Sequence, residues 1–93
     1  MHKKKFYGQH FLRDDSVVAA IIEAAAIEES DNVLEIGPGE GVLTKELVLK
    51  AKKVLSVDID QEAIDTTRQN VLSERLQLLN QDVLSLKNED IKR

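Results

Sequence analysis

Hydrophobic positions along this chain follow two different spacings, and the first is that of helices. Over residues 17–27, 42–51 and 61–72, apolar side chains return every three or four positions, as on one face of an amphipathic helix. Asp14-Asp15-Ser16 supplies N-cap candidates before the first stretch, and Asp60 precedes the third. These three stretches are therefore predicted to be helices.

The second spacing is that of buried strands. Residues 33–36, 54–59 and 76–80 form short apolar runs bounded by polar residues or glycine. Each run follows one of the predicted helices, and this order is the signature of right-handed βαβ units. We therefore predict an α/β fold with a three-stranded parallel sheet in the order 3-2-1 and helices on both faces.

The division of the chain follows from these elements. Residues 1–13 have no clear period and are predicted to form an N-terminal arm, residues 14–84 the βαβ core, and residues 85–93 a polar tail. In a sheet of three strands the first strand would have a neighbour on one side only, which leaves an open hydrogen-bonding edge. We therefore expect the chain to be the front part of a larger domain and to form a homodimer through that edge.

Composition limits the kinds of function that fit. A length of 93 residues suits one small domain, and the absence of cysteine excludes disulfides and thiolate metal sites. The two histidines, His2 and His10, are too few to predict a metal site. The sequence has neither the apolar run of a secretory signal after its N-terminal lysines nor a segment long enough to span a bilayer. We therefore expect a cytoplasmic protein.

The net charge of the chain is −4, which argues against binding of nucleic acid over the whole surface. Such binding requires many positive groups opposite the phosphates. The basic cluster Lys3-Lys4-Lys5 is more typical of a solvated tail than of a binding site. Any contact with RNA is therefore expected to be local.

Three glycines, Gly37, Gly39 and Gly41, separate the first predicted strand from the following helix. Without side chains they let backbone N–H groups approach a ligand at the start of the helix. Their G-x-G-x-G spacing differs from the G-x-G-x-x-G fingerprint of dinucleotide-binding folds, and the acidic Glu35 precedes them. S-adenosylmethionine has no phosphates but carries an ammonium and a sulfonium group, so carboxylate and carbonyl oxygens suit it. The turn therefore favours S-adenosylmethionine over NAD.

Four acidic residues near the predicted strand ends are candidates for ligand contacts. Glu35 either binds the cofactor or caps the glycine turn through backbone N–H groups, and both roles can coexist. Asp58 ends the second strand about 20 residues beyond the turn, where a carboxylate accepts both ribose hydroxyls of an adenosine. Asp60 competes for that role, but its place before a helix makes it the better N-cap. Asp82 follows the third strand and is either a turn residue or an acceptor for the adenine amine.

Four motifs together resemble a known family. They are F-Y-G-Q-H-F-L at residues 6–12, E-I-G-P-G-E-G at 35–41, V-D-I-D at 57–60 and Q-D-V at 81–83. The combination spans nearly the whole chain and resembles the small-subunit ribosomal RNA adenine dimethyltransferases, with much shared by the erythromycin-resistance rRNA methylases. The resemblance implies a Rossmann-like methyltransferase fold and an enzyme that transfers methyl groups from S-adenosylmethionine to adenines of small-subunit rRNA.

The resemblance also implies where the cofactor binds. It would place backbone atoms of His10 and Leu12, together with Gly37, at the methionine end of the cofactor. Asp58 would bind the ribose and Asp82 the adenine. The complete set of cofactor-binding candidates in this sequence is His10, Leu12, Glu35, Gly37, Gly39, Gly41, Asp58, Asp82 and Val83.

Two departures from the family pattern limit the resemblance. Tyr7 separates Phe6 from Gly8, where the family commonly has F-G-Q, so the resemblance does not place Phe6. The Asn-Leu-Pro-Tyr-like motif at which the family transfers methyl groups is not in this sequence, whose single proline is Pro38. No catalytic residue is therefore assigned, and we expect this chain by itself to bind the cofactor weakly without catalysing transfer.

Two other functions stay open at this point. The first is a non-catalytic module with the same fold that binds an adenosine ligand or RNA. The second is an NAD-linked oxidoreductase, which the spacing of the three glycines disfavours.

Overall fold

The computed structural model describes residues 3–7 and 15–86, with the backbone alone for 3–7. Every predicted helix and strand is present, and no bound differs from the prediction by more than two residues. No helix within these two ranges is long and apolar enough to cross a membrane. The elements are β1 (Lys3–Tyr7), α1 (Asp15–Ala25), β2 (Asn32–Ile36), α2 (Val42–Lys50), β3 (Lys53–Asp58), α3 (Gln61–Asn70), β4 (Leu76–Asn80) and a 3-10 turn (Val83–Ser85).

All strands are parallel and form one sheet in the order β1-β2-β3-β4. This confirms the α/β fold class and the order of the three predicted strands, which are β2, β3 and β4. The sheet has one strand more than predicted, because residues 3–7 of the expected arm pair with β2. An edge strand needs backbone hydrogen bonds more than an apolar pattern, and lysine-rich edges are common, so the periodicity did not reveal it.

The additional strand changes the environment of β2. β1 pairs with one side of β2 and β3 with the other, so β2 is an inner strand rather than an edge. The open edge on which the expected homodimer was based is therefore not present. Among the described strands, β4 has its only partner in β3.

Each helix turns residues three or four positions apart toward the sheet. Val18 and Ile22 of α1 are buried, as are Leu43 and Leu47 of α2 and Ile64 of α3. Full burial of such a side chain contributes about 1.5–3 kcal/mol. The helices therefore gain most of their stability from one apolar stripe packed on the strands.

The three helices lie on one face of the sheet, so the prediction of helices on both faces is wrong. Right-handed connections between strands that are added successively in one direction place every crossover helix on the same side. The cluster on this face combines residues from α1, α2 and the strands with Val71, which follows α3. Its buried members are Val18, Ile22, Val33, Leu43, Leu47, Val48, Ala51, Val54 and Val71.

The second face of the sheet carries a smaller apolar cluster, which we call the second-face cluster. Its buried members are Leu34, Leu55 and Val57. Val83 of the 3-10 turn and Leu86 pack against it, together with strand residues. Neighbouring strand positions thus point to opposite buried faces, which explains why the strands are continuous apolar runs.

Candidate functional site

The carboxyl ends of the inner strands meet at one edge of the sheet, where the glycine turn begins. The N–H of Gly37 donates to the carbonyl of Val57 at 2.8 Å. Asp58 pairs with Asn80, and the Asn80 amide donates to the Asp58 carbonyl at 3.1 Å. The glycine turn, Asp58 and the segment leading to Asp82 therefore lie along one edge, which is where open α/β sheets bind ligands.

The glycines of the turn have different surroundings. Gly41 has φ 91°, and a Cβ atom there would lie 2.9 Å from Cγ2 of Val71. Gly39 has φ 60°, but a Cβ atom there would have no atom of the described residues within 4 Å. Packing therefore requires glycine at position 41, whereas no described residue fills the space beside Gly39.

Helix α3 holds the glycine turn through two side chains that the sequence did not identify. The hydroxyl of Thr67 donates to the carbonyl of Gly39 at 3.0 Å, and the amide of Asn70 donates to the carbonyl of Glu40 at 2.8 Å. These contacts link residues 28 and 30 positions apart. The sequence alone shows only that Thr67 and Asn70 are three positions apart on a predicted helix. Other polar residues of that helix face solvent, so the pair does not stand out from them.

Glu35 is fully buried, with 0% of its surface exposed. Its Oε1 atom accepts hydrogen bonds from the hydroxyls of Thr44 at 2.5 Å and Ser56 at 2.7 Å. Its Oε2 atom has no hydrogen-bond partner among the described residues. Burial raises the pKa of this carboxyl above its ordinary value, and the two hydroxyl bonds act in the opposite direction.

Two roles were predicted for Glu35, and its hydrogen bonds belong to neither. They go to hydroxyl groups on α2 and β3 rather than to N–H groups of the glycine turn. Thr44 and Ser56 were not identified from the sequence, although Ser56 interrupts an apolar run and is the register partner of Glu35. The carboxyl group joins β2, β3 and the first turns of α2 directly beneath the glycine turn.

Asp58 lies half-buried where β3 ends, at the position predicted for the ribose ligand. Its Oδ1 atom accepts a hydrogen bond from the N–H of Asp60 at 2.9 Å. Asp60 in turn accepts from the N–H of Glu62 at 2.9 Å, which confirms its predicted role as the N-cap of α3. Asp58 therefore lies at the sheet edge, and Asp60 caps the start of α3.

Asp82 is exposed and begins the 3-10 turn, where its Oδ1 atom accepts from the N–H of Leu84 at 2.9 Å. The turn role weighed for this residue is therefore present. A carboxylate has a second oxygen, so this role is compatible with a ligand contact. Val83 packs against the second-face cluster. His10 and Leu12 lie outside the described residues.

The sequence matches a described protein family along almost its whole length. The family is Ribosomal RNA adenine dimethylase, and the match covers residues 1–91. A curated relative from Mycoplasmopsis pulmonis, named ribosomal RNA small subunit methyltransferase A, is 43% identical over 84 residues. The match covers 90% of this chain and 33% of that relative. The chain therefore spans about a third of the length of the curated relatives it matches.

Solved structures of two related enzymes share both fold and sequence with the chain. A dimethyladenosine transferase from Plasmodium falciparum superposes with a TM-score of 0.76 and 37% identity, over 84% of this chain and 30% of that one. The 23S rRNA methyltransferase ErmE gives a TM-score of 0.77 and 37% identity, over 84% of this chain and 32% of that one. Both likenesses therefore extend over most of the elements described above.

Proposed function

This chain belongs to the ribosomal RNA adenine dimethylase family, and we propose that it forms the part of such an enzyme that binds the methyl donor, S-adenosylmethionine. Because the chain spans about a third of its curated relatives, methyl transfer is proposed for the whole protein and not for these residues alone. The family description names adenine and the relatives' name gives small-subunit rRNA, so adenines of that RNA are proposed as the substrate of the whole protein, with the cytoplasm as its location. With a net charge of −4, the chain is expected to contribute only local contacts to the RNA.

The observation that carries the proposal is the arrangement of the sheet edge. The N–H of Gly37 donates to the carbonyl of Val57 near the end of β3, and the next residue is Asp58 with its half-buried carboxylate. None of the described residues fills the space beside Gly39, where any other residue would place a Cβ atom. A backbone turn with room beside it and a carboxylate at the next strand end suit a nucleoside that carries no phosphate.

The charges at this edge also suit a cationic ligand. Asp58 and Asp82 place carboxylates at the ends of β3 and β4. A cofactor that carries ammonium and sulfonium groups is attracted by negative charge, whereas a phosphate ligand is repelled by it. When bound, the cofactor supplies the sulfonium methyl group that is transferred.

Different residues are proposed to bind different parts of the cofactor. The glycine turn, with backbone atoms of His10 and Leu12, would hold the methionine end. Asp58 would accept the ribose hydroxyls. Asp82, followed by Val83, would accept from the adenine amine. These roles follow the family pattern, and the order of the strand ends along the edge agrees with the order of the three parts of the cofactor.

Calorimetric titration of the 93-residue chain tests this proposal. We expect S-adenosylmethionine and its demethylated product, S-adenosylhomocysteine, to bind with similar affinity, and NAD to give no saturable heat. Circular dichroism on the same sample establishes that the chain is folded. A folded chain that binds neither S-adenosyl compound, or that prefers NAD, would refute the proposal.

A further inference from the structure

Two consecutive carbonyl groups of the glycine turn are held by side chains from one helix. Gly39 accepts from the hydroxyl of Thr67 at 3.0 Å, and Glu40 accepts from the amide of Asn70 at 2.8 Å. Thr67 and Asn70 are three positions apart, so they lie on one face of α3. We call this pair of contacts the α3 clamp.

The two halves of the α3 clamp differ in exposure. Thr67 is fully buried, and its bond to Gly39 satisfies a hydroxyl that would otherwise be buried without a partner. Asn70 is exposed, so water can replace its bond to Glu40 when the side chain is removed. Loss of the Asn70 contact should therefore cost the fold little stability.

The α3 clamp fixes the direction of the peptide groups in the turn. In a trans peptide the N–H of the next residue points opposite to the carbonyl. With the carbonyls of Gly39 and Glu40 directed at α3, the N–H groups that follow them have defined directions as well. The N–H of Gly41 donates to the carbonyl of Pro38 at 2.9 Å and closes the turn just before α2 begins.

A turn with three glycines needs such support, because glycine has more backbone freedom than any other residue. A ligand that binds to a mobile turn must order it, and that ordering weakens binding. The same helix is also tied to Asp58, whose side chain accepts from the N–H of the N-cap Asp60. Helix α3 thus connects the ribose candidate at its start with the glycine turn along its last turns.

We propose that Thr67 and Asn70 are positioning residues, which keep the glycine turn in its ligand-binding shape before the cofactor arrives. This inference rests on the proposed binding of S-adenosylmethionine. It assigns a role in affinity to two side chains that do not have to touch the ligand.

The variants Asn70→Ala and Thr67→Val remove one half of the α3 clamp each. Their matched controls are Gln69→Ala, at an exposed position on the same helix, and Thr66→Val, at a half-buried position whose hydroxyl has no hydrogen-bond partner among the described residues. In calorimetric titration of the 93-residue chain with S-adenosylhomocysteine, each clamp variant should bind about threefold to tenfold more weakly, the scale of one hydrogen bond. The controls should keep the affinity of the unmodified chain.

Amide hydrogen exchange of residues 39–41 gives a second readout that needs no ligand. The clamp variants should exchange faster at these amides, whereas amides of β2 and β3 should keep their protection. If the unmodified chain binds no S-adenosyl compound, the proposed function fails and hydrogen exchange still decides whether the clamp orders the turn. Lower stability with unchanged affinity, or unchanged exchange at residues 39–41, would overturn the inference. Asn70→Ala decides the matter if Thr67→Val does not fold.

Discussion

Glu35 and Ser56 are register partners on neighbouring strands, and the hydroxyl of Ser56 donates to Oε1 of Glu35 at 2.7 Å. Thr44 donates a second hydroxyl hydrogen bond to the same oxygen. Since all three residues are fully buried, a polar group of three side chains joins β2, β3 and α2 inside the molecule. Buried polar groups of this kind fix one arrangement of the elements around them, because any other arrangement would leave them without partners.

The buried carboxyl predicts a dependence of stability on pH. Burial raises the pKa of Glu35 above its ordinary value of 4.5, so the folded chain keeps the proton to higher pH than the unfolded chain does. Its contribution to the free energy of unfolding is fully present below pH 4.5 and is lost as pH rises to the folded pKa. Glu35→Gln cannot ionise and should lose stability less over this window.

Urea unfolding of both proteins between about pH 4 and pH 8 measures this difference. The free energy of unfolding of Glu35→Gln minus that of the unmodified chain should increase with pH. Glu46→Gln, at a half-buried position on α2, serves as the control for replacing a carboxyl by an amide. A flat difference for Glu35→Gln would show that the folded state does not hold the proton.

Substitutions at Gly39 and Gly41 should separate binding from stability. Gly41→Ala combines a left-handed backbone with a 2.9 Å approach to Val71, and we expect it to lower the free energy of unfolding by about 2–4 kcal/mol. Gly39→Ala meets no atom of the described part of the chain and should cost about 1–2 kcal/mol from its backbone alone. Its methyl group would enter the space proposed for the ligand, so its affinity should fall at least tenfold in the same titration. Equal stability losses at the two positions would contradict the packing described here.

Ala26 follows α1 with φ 48°, a left-handed conformation that costs energy for any residue with a Cβ atom. Ala26→Gly should therefore raise the free energy of unfolding by up to about 1 kcal/mol, as glycine does at helix ends. Ala20→Gly, at an exposed position inside α1, should have the opposite sign and lower it by about 0.5–1 kcal/mol. Thermal unfolding of the two variants gives the sign of each change in stability. A loss of stability in Ala26→Gly would contradict the expected relief of strain.

Asp58→Asn should weaken binding of S-adenosylhomocysteine about tenfold to a hundredfold, the scale of a hydrogen bond to a charged acceptor. The asparagine keeps an oxygen that can accept from the N–H of Asp60, so α3 should begin at the same residue. Asp65→Asn provides the matched control, because Asp65 is exposed on α3 and pairs with Arg68. Equal affinities of the two variants would remove Asp58 from the site.

Features with a local signal could be predicted from the sequence. The apolar runs and the glycines located the strand ends, and the place of Asp60 before a helical stretch identified it as an N-cap. Asp58 was placed correctly at the end of β3 because parallel strands end at a common edge. Each of these features depends on residues within a few positions of one another.

Features that depend on distant parts of the chain were missed. The partners of Glu35 lie 9 and 21 positions away, and the clamp residues lie 28 and 30 positions from the carbonyls they hold. Such pairings depend on how the elements pack, and the same polar residues would suit solvent equally well. The strand at residues 3–7 was missed because backbone hydrogen bonds, which carry no side-chain pattern, add it to the sheet.

The 3-10 turn links the position of Asp82 to the burial of the second-face cluster. Asp82 caps the turn, and the next residue, Val83, packs on the cluster that contains Leu34 and Val57. Opening the turn would displace the carboxylate and hydrate the apolar side chains in one event. A ligand that holds Asp82 in place would therefore also keep the turn closed over the second-face cluster. Binding would then reduce the exposure of those side chains to water, although the ligand does not touch them.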